Sequence, residues 1–399
     1  MKNNRKSNIK IGLLALVLIS LGLGVSAQDI PKTLVEIEKN NTSLQAYKKL
    51  NEAEKLENKT GIYLENPEVE FNYLWGDPAS KGERKDFAIK QSFDFPTAYG
   101  IRKKIANARN QQSDLAYQLQ RKTVLYRAKT LCNELIYLNA RNTILASRVK
   151  QAKELAEACT IQFEKGEINI LDKNKAQFNL LNAQKELEAN QIERDNRLAM
   201  LTTLNGGKAI DFNQIAFEKL QLPADFATWY NGYQQKNLLL QQNENDIQIS
   251  EKEIQLSKAM SLPKFSGGYM SESVVGESFR GVSVGMSIPL WENKNKVKLA
   301  KARKQVAVEQ AKSQQFQTLN QLKGQYDKAV NLKETLRSYE KEFALVNSAE
   351  LLKTALDAGE ISLIDYLQEL TLYYETTDKF LTIEKELNQL AAGLFFFEL

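Results

Sequence analysis

The sequence predicts a mainly α-helical chain with a membrane β-barrel contribution, in which one unit (short helix, β-hairpin, long helix, short helix) is written twice. Three observations predict this. First, the heptapeptide "GEINILD" at 166–172 returns as "GEISLID" at 359–365, 193 residues later, with four positions identical and three exchanged like for like. Second, the seven prolines leave two long stretches empty, 97–222 and 290–399. Proline costs about 3 kcal/mol inside a helix, so its absence permits very long ones. Third, two short regions replace helical periodicity by alternation with apolar residues on one side, largely aromatic in the first region and aliphatic in the second, which is the mark of strands.

The elements follow in order. Lys2, Arg5, Lys6 and Lys10 precede a fifteen-residue apolar run and the small residues Val25 and Ala27. That pattern is expected to be a secretory signal peptide, residues 1–27, and the run is short of the roughly 20 residues that span a bilayer. The first repeat is expected over 28–205. It opens with a helix at about 31–63. Strands follow at about 66–75 and 86–96, where Val69, Phe71, Tyr73 and Trp75 share one face, as do Phe87, Ile89, Gln91, Phe93 and Phe95. "GDPASKGER" between them reads as a loop from its Gly and Pro content.

A long helix at about 97–164 comes next. Ala128, Leu131, Leu135, Leu138, Asn142, Leu145, Val149, Ala152, Ala156, Cys159 and Phe163 alternate steps of three and four, the coiled-coil period. At 1.5 Å per residue such a helix is on the order of 100 Å long. A turn at Gly166 leads to a shorter helix at 169–205. A linker at 206–226 looks irregular. The second repeat, 227–399, is expected to place strands at about 262–271 and 279–289, a long helix at about 290–357 and a turn at Gly359. Val282, Val284, Met286, Ile288 and Leu290 share a face. Pro96 and Pro289 are 193 apart and Pro67 and Pro263 are 196 apart; the three-residue difference falls within the strand–loop–strand segment, where length is cheap to vary, and the 193-residue register holds elsewhere.

Each Gly turn carries its own logic. Gly suits the left-handed C-terminus of a helix. Asn169 and Ser362 then stand where N-caps belong, with Asp172 and Asp365 three residues on, the spacing of a capping box.

Composition removes several function classes. The signal holds four of the 54 basic residues and no acidic one, so the chain beyond it carries 50 basic against 49 acidic side chains and has no strong pull on nucleic acid. There is no His, and the two Cys form no CxxC or zinc-type spacing. The sequence nominates no enzyme, no cofactor and no metal site. Cys132 and Cys159 read as small packing residues on the helical seam. The basic cluster Arg102, Lys103, Lys104 with Lys294, Lys296 and Lys298 reads as a solvated or headgroup-level belt.

The aromatic residues Phe71, Tyr73, Trp75, Phe87, Phe93, Phe95 and Tyr99 face either lipid or the core of a sandwich. The absence of a partner sheet favours lipid. Four strands cannot close a barrel, which needs roughly eight, so several chains must contribute to one.

Signal peptide, duplication, paired strands between long helices and a Gly turn with a spaced Asp together resemble the TolC-type outer membrane efflux proteins, the shorter metal- and drug-efflux members most. The resemblance covers nearly all of the chain beyond the signal, and its strength is architectural rather than in any one motif. It implies a homotrimer with a twelve-stranded barrel in the outer membrane of a Gram-negative bacterium and a helical tunnel across the periplasm. An inner-membrane efflux pump and a periplasmic adaptor would complete the path for metal cations or drugs. It further implies that Gly166, Glu167, Gly359 and Glu360 form adaptor-docking tips, and that Asp365 lines a closed entrance. The further Asp that the pattern can carry is Gln368 here. Two other readings stand beside it. A periplasmic adaptor would have a single hairpin between distant strand halves, and a secreted coiled coil would not account for the aromatic strands.

Overall fold

The structure, a computed structural model of the chain, describes residues 29–345 and 348–399, so the signal expected over 1–27 lies outside it. The first two helices are Ile30–Asn40 (α1) and Thr42–Glu57 (α2). The expected single helix is interrupted at Asn41. Its Nδ2 donates to the Leu204 carbonyl at 2.7 Å, and its Oδ1 accepts the Leu44 N–H at 2.9 Å, so the side chain takes over what the backbone gives up. The second half breaks alike between Phe226–Lys236 (α5) and Leu238–Ala259 (α6), where Asn237 accepts the N–H groups of Leu239 and Leu240. Asn237 lies 196 residues after Asn41, the offset that separates Pro67 from Pro263.

Strands β1 (Glu68–Trp75), β2 (Glu83–Phe93), β3 (Lys264–Val274) and β4 (Glu277–Ser287) form one antiparallel sheet in the order β1-β2-β3-β4. The hairpins of the two halves are joined through ten residue pairs between β2 and β3, from Arg84↔Val274 to Phe93↔Phe265. Strand bounds depart from expectation at the loop ends. The segment 272–278 is not an open loop but strand up to a two-residue turn, Val275–Gly276, with both residues at positive φ. Glu83 and Arg84 likewise belong to β2.

Pro96 opens α3 (Pro96–Glu164), a continuous helix of 69 residues that leads to α4 (Ile170–Leu204). Proline at the first helical position removes an N–H that would have no partner there. The expected helix from 290 begins later. Residues after Pro289 make a turn in which Lys294 N–H bonds the Trp291 carbonyl and Asn295 is left-handed at φ 67°, and the helix α7 spans Lys296–Leu345. Ser348–Asp357 (α8) and Leu363–Leu394 (α9) complete the second half.

The chain divides into two compact units. The sheet unit is Gln45–Gln120 with Asn231–Leu319. The helical unit is the chain up to Leu44 with Arg121–Tyr230 and Asn320–Leu399. In the helical unit the seam of α3 is buried: Ala128, Leu131, Cys132, Leu135 and Ile136 pack with Ile37 of α1, Leu201 of α4, and Ile210 and Phe212 of the linker. The linker has no helix or strand, yet it is fixed. Asn139 Nδ2 donates to the carbonyls of Phe212 and Gln214 at 3.2 and 3.0 Å, which lets Phe212 be wholly buried.

Candidate functional site

Two features are candidates for function, one in each unit. In the sheet unit, register places Val69 opposite Ile89 and Phe71 opposite Phe87. It then sets Ile89 opposite Tyr269 and Tyr269 opposite Val282. One apolar row therefore crosses all four strands. It is open: Phe71 is 65 % exposed, Val282 82 % and Val284 86 %. Every residue of β1 is exposed, so among the described residues no second sheet covers this face and a sandwich core is set aside. The opposite face carries Glu68, Glu70, Asn72, Asp86, Lys90 and Glu272, with Leu74, Met270 and Phe279 among them. There Arg84 Nε lies 2.9 Å from Asp86 and 3.2 Å from Glu272. Strands β1 and β4 each keep one unpaired edge among the described residues.

The seven aromatic positions do not behave alike. Phe71, Tyr73, Trp75 and Phe87 stand on the open apolar face, with Tyr73 and Trp75 rings 6.4 Å apart. Phe93 and Phe95 are half-buried and pack on Phe265 at 6.2 and 6.3 Å, and Phe95 lies beyond the end of β2. Tyr99 accepts the Asp94 N–H through its hydroxyl at 2.9 Å.

Arg102 leaves the belt expected of it. Its Nη2 lies 2.5 Å from Oδ2 of buried Asp94, and its guanidinium stacks 5.3 Å from the Tyr99 ring. Asp94 next to a helix start is the signal that could have revealed this, since a buried carboxylate needs a cation in reach. Lys103 and Lys104 stay exposed.

In the helical unit the two Gly turns have one geometry. Gly166 (φ 78°) donates to Phe163 O and Glu167 to Gln162 O, both at 2.9 Å. Gly359 (φ 73°) donates to Leu356 O at 3.0 Å and Glu360 to Ala355 O at 2.9 Å. Both are Schellman turns, which end a helix on a left-handed residue. Asn169 then caps α4 by accepting Asp172 N–H at 2.9 Å. Ser362 caps α9 in a full capping box, with Asp365 Oδ2 accepting from Ser362 N–H at 3.3 Å and from its hydroxyl at 2.5 Å. Gly166, Glu167, Gly359, Glu360, Asp365 and Gln368 are all exposed.

The structure brings the two turns to one end of this unit. Leu363 packs on the cluster of Ala156, Cys159 and Ala176 below the first turn, and Lys353 Nζ lies 3.2 Å from Glu154. Further along, Arg148 ties α3 to α9. It grips Asp378 with both Nη atoms at 3.0 and 2.7 Å, donates to Tyr374 O and covers the Tyr374 ring at 4.1 Å. Sequence reading missed this pair, because 230 residues separate its members.

Cys132 and Cys159 are buried free thiols, and burial pushes the Cys132 thiol up to about 12. Among the described residues no group of His, Cys, Asp and Glu could hold a metal ion, and no helix is long and apolar enough to cross a membrane.

A small open sheet with one apolar face and long helical hairpins are the parts of a fold that this chain shares with solved outer membrane channels. The chain superposes on a membrane protein from Pseudomonas aeruginosa with a TM-score of 0.76 at 15 % identity, covering 93 % of each chain. It matches CusC, a protein that forms a transmembrane channel, with a TM-score of 0.74 at 14 % identity over 94 % of this chain and 95 % of that one. It matches the Campylobacter jejuni CmeC outer membrane channel with a TM-score of 0.70 at 15 % identity over 100 % and 93 %. No protein-family model and no curated protein sequence matches the chain.

Proposed function

We propose that the chain is the outer membrane channel component of a tripartite efflux system, a passive exit duct with no enzymatic step. The observation that carries this reading is the single four-stranded sheet, apolar and uncovered on one face, richer in charged and polar residues on the other, with a free edge at each side. A sheet so built has unpaired N–H and C=O groups that lipid cannot satisfy, so it needs closure. Three copies joined edge to edge give twelve strands, with lipid outside and water within. The likeness in fold to outer membrane channels supports the same conclusion.

On this reading the two repeats, 28–205 and 227–399, each supply one hairpin to the barrel and one to a periplasmic tunnel. The turns at Gly166–Glu167 and Gly359–Glu360 form the tips where an adaptor docks. An inner-membrane pump selects the cargo, metal cations or drugs, and Asp365 from three copies rings the entrance. A single adaptor hairpin or a secreted coiled coil would leave the open aromatic sheet without a role.

The test is native mass in detergent. A trimer is expected. A monomer whose mass does not depend on detergent would remove the shared barrel and with it the function.

A further inference from the structure

We infer that the turn after β4 is an interfacial anchor that binds the anionic headgroups of the membrane leaflet at the helical end of the sheet. This rests on the reading that the apolar sheet face lies in lipid.

The apolar row of β4 does not stop with the strand. Val282, Val284 and Met286 are followed by Ile288, 60 % exposed, Leu290, 68 %, and Trp291, 79 %. A tryptophan this open is the largest apolar surface a side chain can leave in water, and its N–H suits the boundary between acyl chains and headgroups. Lys294, Lys296 and Lys298 follow at once, all exposed. The one acid in the turn, Glu292, lies 3.6 Å from Lys264, so three lysines stand against a single carboxylate and the turn carries an excess of positive charge.

The turn is held rather than loose. Lys294 N–H bonds Trp291 O at 3.0 Å, Lys296 N–H bonds Asn293 O at 3.2 Å, and Asn293 Nδ2 donates to the Met260 carbonyl. The first half keeps Lys103 and Lys104 exposed at the matching helix start but has no tryptophan turn before them. There Pro96 begins the helix directly, and Arg102 is engaged by Asp94. The second half alone spends the residues before Lys296 on presenting a tryptophan beside lysines. Apolar continuity with the sheet face and the local excess of positive charge identify the occupant as a bilayer surface of anionic phospholipid. Attraction of this kind fades within a Debye length and weakens with salt.

The experiment uses the full chain in phosphatidylcholine vesicles doped with a minority of brominated phosphatidylglycerol or brominated phosphatidylcholine, with tryptophan quenching as the readout. Trp75→Phe with Trp229→Phe leaves Trp291 as the only emitter. If that variant does not fold, the difference between the native chain and Trp291→Phe gives the same signal. A control carries Phe71→Trp with the three native tryptophans changed to Phe, and reports whether the sheet face itself meets lipid.

The expected result is quenching of Trp291 that is about threefold or more stronger by the anionic lipid. That preference should fall as salt rises and vanish in Lys294→Gln/Lys296→Gln/Lys298→Gln. Quenching of the Phe71→Trp probe without quenching of Trp291 overturns the anchor, and means another protein surface covers the turn while the membrane reading stands. Equal quenching by both lipids overturns headgroup binding. Silence of both probes removes the membrane reading and the anchor together.

Discussion

Asp172 and Asp365 occupy matched positions, yet their surroundings differ. Asp172 is half-buried and accepts from Asn169 Nδ2 at 2.8 Å, whereas Asp365 is exposed and, among the described residues, held by Ser362. On the entrance proposal, three Asp365 carboxylates attract cations. Asp365→Asn should weaken cation preference and block by multivalent cations in single-channel recording, and Asp172→Asn should not. Equal loss of stability with unchanged conductance in both would reduce Asp365 to a helix cap. Arg148 gives a stability prediction at the same scale. Arg148→Met leaves the part-exposed Asp378 carboxylate without its partner and should cost about 1–2 kcal/mol, seen as a lowered unfolding midpoint. Arg148→Met with Asp378→Leu should recover most of it. Glu384 adds a pH dependence. Burial first, and the Glu340 carboxylate second, raise its carboxyl from 4.5 to about 7. The folded chain thus favours the protonated form, so this contribution is fully present below pH 4.5 and is lost as pH rises through 7. Glu384→Gln should flatten the profile and gain on the order of 3 kcal/mol at pH 8, an upper figure for a shift of this size.

At the scale of elements, the Schellman turns explain why the heptapeptide recurs: each ends one helix on a left-handed Gly and caps the next. A Cβ at Gly166 or Gly359 would meet no neighbour, so the cost of Ala there is conformational alone, about 1 kcal/mol each. Gly166→Ala and Gly359→Ala should therefore lower the melting midpoint by similar small amounts. A large drop in one only would place that turn against another surface. The uninterrupted α3 makes a second prediction. Cys132 and Cys159 sit 27 residues apart on it, on the order of 40 Å, against a limit of roughly 7 Å for a bridge. Both thiols should resist maleimide until the chain unfolds. Mass spectrometry that found them linked within one folded chain would break the helix.

For the whole molecule, the exposed aromatic face predicts behaviour in membranes. The chain should remain with the membrane fraction after carbonate washing and require detergent for release. Release by carbonate would mean that the sheet face meets no lipid.

Much of this was visible in the sequence because it is local. Proline spacing and the three-four alternation in 128–163 depend on neighbours in the chain, and Pro96–Glu164 is one helix from the expected residue to within one. Period-two alternation placed the strand centres for the same reason. Boundaries were less legible where a single residue's backbone decides: Asn41 and Asn295 interrupt or delay helices that composition alone would continue. The Gly and Asx residues of the two turns showed their capping chemistry through spacing, but not that Leu363 packs on the cluster below the first turn. The joining of β2 to β3, the Arg148–Asp378 grip and the burial of Asp94 against Arg102 were decided only by the tertiary structure. Two of these link residues far apart in sequence, and in the third no periodicity marks which charge is withdrawn from water. The sequence by itself determined the repeated elements, because propensity and periodicity act over a few residues. The fold decided which faces stay open, because exposure depends on what every distant segment covers.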